Sequence, residues 1–254
     1  MHTSYTTRLL GMSAAILLSC AARAADAPAG EHPSVKRPYI LPPSADLTYV
    51  IKAKQHGLSL GGTATVQWRA GDGKYSVATE SRVSLLGKIL DNRSEGAVDD
   101  FGLAPATFVE KRFRKDPTTT TFQRDAKTIT FSEGDESYPI KGGEQDRSSI
   151  QWQLAAQAHA AADKFKPGSE WKYFVAGRRD AEVWSFKVLK NEAVQIGANE
   201  VNAVHLVKAP PPDDQGQQVD LWLAPSMDWY PVRVRFNDAD GDYVDQTLEK
   251  AVKK

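Results

Sequence analysis

Cysteine is almost absent from this chain. Its 254 residues hold one, Cys20, so no internal disulfide and no cysteine-built zinc site is available. Net charge is absent too. Thirty-two Lys and Arg balance 32 Asp and Glu, and a neutral chain lacks the basic footprint of a general nucleic-acid binder. It also lacks the acidic excess of a disordered tail. Long hydrophobic runs are missing. The longest, LLGMSAAILL over residues 9–18, reaches about 15 Å as a helix, half of a hydrocarbon core of roughly 30 Å. The sequence therefore predicts no transmembrane helix. Beyond the first residues the histidines are His32, His56, His159 and His205, and none pairs at metal-ligand spacing, so no metal and no cofactor is predicted. What is present is 41% apolar residues, enough to bury a substantial core.

Residues 1–24 read as a secretory signal. Arg8 precedes the apolar run, and Ala22-Arg23-Ala24 is a small-x-small site that predicts cleavage before Ala25. Leu17-Leu18-Ser19-Cys20 offers an alternative, a bacterial lipobox with Cys20 lipidated as the first mature residue, although Leu18 fits that pattern poorly. The expected location is periplasmic, or the outer membrane if Cys20 carries lipid. Cleavage before Ala25 removes Arg8 and Arg23 and leaves 30 basic against 32 acidic residues, with no Cys. Such a chain must be held by its core. Residues 25–45 are rich in proline and read as an extended tether, and residues 46–250 as a single β-rich domain.

Period-2 alternation dominates that domain, the pattern of half-buried strands. Leu47, Tyr49, Ile51 and Ala53 share one face, and Ala64, Val66 and Trp68 another. Residues 57–62 and 71–73 read as turns. Further strands are expected over 75–83, 107–114, 119–124, 128–132, 184–188, 202–207, 219–223, 230–236 and 243–248. Ten to twelve strands with short links imply an antiparallel meander. One segment differs. Residues 149–165, SIQWQLAAQAHAAADKF, predict one helix, with Ser148 and Gln151 as a capping box and Pro167-Gly168 as the stop. Residues 209–218, APPPDDQGQQ, read as an exposed loop.

Three motifs suggest chemistry. Gly57-Leu58-Ser59-Leu60-Gly61 matches the G-x-S-x-G of a nucleophile elbow, but that device needs a strand, a turn and then a helix. TATVQWRA follows here and alternates as a strand, so Ser59 reads as a hairpin residue, and His159 and His205 supply only the right order for a triad. Ser169-Glu170-Trp171-Lys172 matches S-x-x-K, yet it leads into the strand-like WKYFV, where residues three apart point to opposite faces. Asp238-Ala239-Asp240-Gly241-Asp242 resembles a calcium loop, but Gly241 is the fourth residue where an EF-hand needs a sixth. Asp-Gly between strands predicts a hairpin turn. Six tryptophans, Trp68, Trp152, Trp171, Trp184, Trp222 and Trp229, read chiefly as core, with some available to line an apolar cavity. Trp229-Tyr230-Pro231 is placed at a rim.

The C-terminal residues carry a family resemblance. Asp220-Leu221-Trp222-Leu223-Ala224-Pro225 followed by Tyr230-Pro231-Val232-Arg233-Val234 is similar to the closing pattern of the domain of unknown function family 3108, bacterial exported proteins. Ser94-Glu95-Gly96, Gly102-Leu103-Ala104-Pro105, Phe108, Glu110 and Arg112 resemble its middle, and Asp146-Arg147-Ser148-Ser149 and Lys166-Pro167-Gly168 its helix flanks. The resemblance spans roughly residues 44–250. It implies a mostly antiparallel β fold in the cell envelope and carries over no catalytic residue.

The expected fold is mainly β: a curved antiparallel sheet forming a barrel or half-barrel, lipocalin-like or like the periplasmic lipoprotein carriers, around one main helix at about 149–165. The expected function is a non-enzymatic periplasmic carrier for an apolar or amphipathic envelope molecule, a small molecule or lipid. Its alternatives are an envelope scaffold that meets a protein partner, and a serine hydrolase at Ser59. No catalytic, ligand-binding or metal-binding residue is assigned.

Overall fold

A computed structural model describes residues 32–84, 86–209 and 216–254. The predicted leader, with Cys20 and the cleavage site before Ala25, lies outside the described residues, as do residues 210–215 of the predicted loop. In chain order the strands are β1 (Ala45–Gln55), β2 (Leu58–Gly71), β3 (Lys74–Val83), β4 (Gly87–Asp99), β5 (Gly102–Arg112), β6 (Thr118–Gln123), β7 (Thr128–Phe131), β8 (Ser137–Pro139) and β9 (Gln145–Asp146). The helix α1 (Ser149–Ala160) comes next. Then follow β10 (Glu170–Ala176), β11 (Ala181–Ile196), β12 (Asn199–Lys208), β13 (Gln218–Leu223), β14 (Pro231–Asn237) and β15 (Tyr243–Lys253).

All fifteen strands form one sheet, in the order β8-β7-β6-β5-β4-β3-β2-β1-β15-β14-β13-β12-β11-β10-β9. The first and last strands pair at its middle, and every neighbouring pair is antiparallel except β9 with β10. Chain connectivity then dictates the shape. Laid flat, fifteen strands at about 4.8 Å spacing would separate β8 from β9 by roughly 67 Å. Only five residues, 140–144, join them, and such a link reaches about 20 Å. The sheet must therefore roll up.

It rolls without closing: no ladder joins β8 to β9. The two ends overlap instead. Phe122, Ile129 and Phe131 of β6 and β7 pack on Phe174, Ala176 and Ala181 of β10 and β11. Thr120 Oγ1 donates to Gly177 O at 2.6 Å across this seam, and Gln145 Nε2 donates to Leu103 O at 2.7 Å. Strand β10 is thus covered on both faces. Trp171, Tyr173 and Val175 face the helix side, while Phe174 and Ala176 face the overlapping flap. That explains the nearly continuous apolar run of WKYFVA.

Helix α1 lies inside the roll. Trp152 stacks on Trp68 of β2, centroids 4.3 Å apart and planes 5° apart, and Ile150, Leu154 and Ala158 join the cluster of β10–β14. The helix is buried on nearly all sides, so it shows no single apolar face. Its two central glutamines are bonded. Gln153 accepts from Leu103 N at 2.8 Å and donates to Phe101 O at 2.6 Å. Gln157 accepts from Tyr173 Oη at 2.5 Å.

Several expectations are corrected. The helix ends at Ala160 rather than Phe165, because Ala161 leaves helical geometry (φ −142°, ψ 52°) and residues 162–164 form a 3-10 turn. The capping box of Ser148 and Gln151 is absent: Ser148 makes no side-chain cap bond. Asp146 caps instead, accepting from Ser148 N and Ser149 N at 2.8 Å each. The turn expected over 57–62 contracts to His56-Gly57, and β2 starts at Leu58. Gly61 and Gly62 are strand residues, and a Cβ on Gly62 would meet Arg82 O at 2.1 Å.

Candidate functional site

The proline-rich segment is extended, as its composition predicts, but from His32 onward it is laid against the roll as a strap. Ile40 N donates to Ala156 O of α1 at 2.9 Å. Trp68 Nε1 donates to Pro42 O at 3.0 Å and Tyr230 Oη to Pro43 O at 2.8 Å, so the strap's carbonyls satisfy two buried aromatic donors. The His32 ring packs tilted against Phe174, centroids 4.3 Å apart, with Nε2 3.3 Å from Glu144 Oε1. Burial holds His32 below its ordinary pKa against the raising field of Glu144. Lys36 pairs with Asp100 at 2.5 Å.

Beside the strap, where α1 ends and β10 begins, lies an open groove of about 460 Å³. Arg37 of the strap, Lys164 of the 3-10 turn and Lys166 of the following loop line it, with Trp171 at the start of β10. Arg37 sits 5.4 Å above the Trp171 ring and 5.3 Å above Tyr173. Phe165 stacks on Trp171 at 4.1 Å and meets Trp229 at 6.2 Å. Two carboxylates also line the groove, Asp163 and Glu170. Glu170 is turned to the Ser185 hydroxyl and to Lys172 at 3.7 Å. Among the described residues Arg37, Lys164 and Lys166 make no ion pair, so the groove presents three free cations beside an indole. A second crevice, between strap and α1 and lined by Pro33, Val35, Phe101, Gln153, Gln157 and Tyr173, is too narrow for water.

Trp171 lines the groove, whereas Trp68 and Trp152 form a core stack and Trp184 and Trp229 fill the helix-side cluster. The rim placement of Trp229-Tyr230 is overturned: both are buried. Asp228 and Trp229 hold positive φ of 51° and 61°, a conformation disfavoured for large side chains, and it turns both aromatics inward. Among the described residues the concave face is occupied by α1 and these rings.

Ser59 sits in strand geometry on β2, exposed and opposite Lys54. Among the described residues neither His159 nor His205 bonds to it, and no helix follows it, so no nucleophile elbow exists. Ser169 accepts from Trp171 Nε1 at 3.3 Å, while Lys172 turns to Glu170. Asp238–Asp242 form the expected hairpin turn, with Asp238 N donating to Asp242 O at 2.9 Å. His56 comes to this turn from the β1–β2 tip, and ligand atoms of His56, Asp240 and Asp242 lie within 4.8 Å of one another. Sequence spacing could not show that juxtaposition. Asp242 is already engaged, accepting from His56 N at 3.0 and 2.8 Å.

A second polar cluster surrounds His205. Its Nε2 meets Asp220 at 2.8 Å and its Nδ1 meets Glu192 at 3.1 Å. The ring stacks on Trp222 at 4.2 Å, whose indole is also covered by Arg233 at 4.6 Å. Burial would raise the carboxyls of Glu192 and Asp220. Hydrogen bonds from Lys190 and Trp222 to the first, and from His205 and Gln218 to the second, outweigh it and hold both below the usual range. No hydroxyl or thiol nucleophile bonds to His205 among the described residues, and the cluster ties β11, β12 and β13 together through polar contacts.

Comparison with known proteins bears on the whole domain. No curated protein matches the chain. Among solved structures, a Bacteroides fragilis protein described as exported and of YmcC-like fold aligns at 10% identity and TM-score 0.31, covering 87% of this chain and 100% of its own. A DUF1329 family protein from Desulfovibrio piger aligns at 9% identity and TM-score 0.26, covering 84% and 86%. Scores this low carry no argument about fold or function. A family model, by contrast, matches residues 46–249, from the second residue of β1 into β15. The chain belongs to the family of proteins of unknown function designated DUF3108.

Proposed function

We propose that this is a non-enzymatic binding protein of the cell envelope that takes an anionic amphiphile at the strap groove. The carrying observation is the set of free cations, Arg37, Lys164 and Lys166, grouped around Trp171 in a groove of about 460 Å³. That volume falls within the range of small-ligand sites. Cations recognise a phosphate or carboxylate head, and Trp171, buried between Phe165 and Arg37, gives the groove an apolar wall for the rest of the ligand. The filled interior favours a surface groove over a ligand enclosed by the sheet. The leader predicted over residues 1–24 supports the envelope location.

Isothermal titration with dodecyl phosphate and with the uncharged dodecyl maltoside tests the reading. Dodecyl phosphate should bind at one per chain, and the double variant Lys164→Glu/Lys166→Glu should weaken it at least tenfold while leaving the melting temperature in place. Equal affinity for both detergents, or no heat with either, would refute it.

A further inference from the structure

We infer that the chain has a membrane-docking rim, formed by three hairpin tips at one end of the roll and suited to a bilayer surface that carries anionic lipid. The inference is independent of the groove. In an antiparallel meander alternate turns fall at the same end, so the β1–β2, β3–β4 and β5–β6 turns share a rim. Backbone bonds hold them in sequence: Ser84 N donates to Gly61 O at 2.9 Å and Phe113 N to Ile89 O at 2.8 Å.

Each tip exposes a large apolar side chain, Leu86 and Phe113 within their turns and Leu58 as the first strand residue after His56-Gly57. Leu58 is 66% exposed, Leu86 46% and Phe113 38%. Among the described residues the other exposed large apolar side chains are Val50, Leu189 and Val252 on strands and Val35 and Ile40 on the strap. The β5–β6 tip reads Lys111-Arg112-Phe113-Arg114-Lys115, every residue exposed. Arg112 is paired with Glu110 at 2.6 Å. Among the described residues Lys111, Arg114 and Lys115 have no ion pair, and neither has Lys54 beside Leu58. Arg114 lies 4.8 Å over the Phe113 ring, and Lys115 N closes the turn on Arg112 O at 3.1 Å.

Apolar side chains at projecting tips, flanked by free cations, match the interface of an anionic bilayer: the cations meet headgroups and the apolar groups enter the acyl boundary. A nucleic acid would meet the cations and leave Leu58 and Leu86 in water. The rim also has a direction. In sheet order the cationic β5–β6 tip is followed by β3–β4, then β1–β2, then the β14–β15 turn with Asp238, Asp240 and Asp242. Repulsion of that acidic turn tilts the contact toward the β5–β6 side.

Vesicle flotation tests the rim, with the mature chain and vesicles of phosphatidylcholine alone or with 30 mol% phosphatidylglycerol. Each Lys or Arg near such a surface contributes about fivefold in partitioning. The variant Lys111→Ser/Arg114→Ser/Lys115→Ser should therefore partition at least tenfold more weakly into the anionic vesicles, and 0.5 M salt should have a similar effect on the wild type. Leu58→Ser/Leu86→Ser/Phe113→Ser should lose at least tenfold too. All six positions are exposed, so the melting temperature should stay put. Titration of both rim variants with dodecyl phosphate should match the wild type, since none of their positions lines the groove, which separates this inference from the proposed function. Three results overturn it: no flotation of the wild type at low salt, flotation of both rim variants like wild type, or loss by the cation variant alone with heparin competing fully, which marks a polyanion site.

Discussion

Asp146 gives the sharpest test of how the helix is held inside the roll. Its carboxylate is fully buried and accepts from Ser148 N and Ser149 N at 2.8 Å and from Ser94 Oγ at 2.5 Å. Ser94 in turn meets Tyr75 Oη at 2.9 Å. Burial opposes the charge and these donors favour it. Burial wins, and the pKa is pushed up to about 6. A carboxyl raised in the folded state stabilises most below its unfolded value, and that contribution is lost as pH rises through about 6. From an ordinary value near 3.8 the full contribution is roughly 3 kcal/mol, of which about 2 kcal/mol falls between pH 7.5 and 4.5. Asn at this position is neutral and nearly isosteric. It keeps an acceptor for both backbone N–H groups and offers an amide donor to Ser94, whose hydroxyl then serves Tyr75. Asp146→Asn should therefore cost under about 1 kcal/mol at pH 7.5, whereas Asp146→Ala leaves two buried N–H groups bare and should cost about 2–4 kcal/mol. Urea unfolding followed by tryptophan fluorescence at pH 4.5, 6 and 7.5 measures all three proteins. Relative to Asp146→Asn, the wild type should gain about 2 kcal/mol on acidification across that range. Should Asn prove as damaging as Ala, or the wild-type gain vanish, the anion is what holds the cap and the reasoning fails.

Two further perturbations report on the roll. Gly62→Ala places a Cβ 2.1 Å from the backbone oxygen of Arg82. The β2–β3 ladder cannot absorb that without moving, so a loss of about 1–3 kcal/mol is expected from thermal melts, while Gly71→Ala, with open space around it, should be nearly silent. Trp152→Ala removes the ring stacked on Trp68. It should cost about 3–5 kcal/mol and abolish the near-ultraviolet circular dichroism of the paired indoles.

Alternation made most of the sheet legible. Residues 47–53, 64–68, 75–83 and 243–248 fall within β1, β2, β3 and β15, because one face of each is buried in the roll. Strand β4 was missed, and its register explains why. Ser94 lies between Val77 and Phe108 and is fully buried, and its same-face neighbours Asn92 and Gly96 are not apolar either, so the middle of the inward face carries no hydrophobic signal and Val98 meets the core only near the strand's end. Strand β9 has two residues, both polar and both buried, and no periodicity can reveal it. The strap was half legible. Its prolines predict extension, but the tryptophan and tyrosine donors that fix its carbonyls lie at Trp68 and Tyr230, far along the chain. The groove has the same difficulty: Arg37 and Lys166 meet only because the strap crosses the end of α1. Gly57–Gly61 could be dismissed as an elbow from sequence, since the residues after it alternate at period 2.

The neutral composition conceals a segregation that the sheet order makes visible. Lys111-Arg112-Phe113-Arg114-Lys115, with four cations, and Asp238-Ala239-Asp240-Gly241-Asp242, with three anions, largely offset each other in a count of charge, yet they sit at different tips of one rim, with two apolar tips between them. Opposite charges this far apart along a surface are screened from each other at physiological salt, where the Debye length is about 8 Å. Each is then felt separately by whatever approaches it. Overall neutrality thus argues against a chain coated in positive charge, and it says nothing against a locally cationic edge. The same geometry keeps that edge clear of the core. The helix, the strap and the tryptophan stack fill the concave side, so stability resides in the interior, while the hairpin tips and the strap groove project from it. Substitutions at Leu58, Phe113 or Lys166 can therefore change what the protein touches without disturbing how it is held together, which is what makes both surface readings separable from folding in a single set of variants.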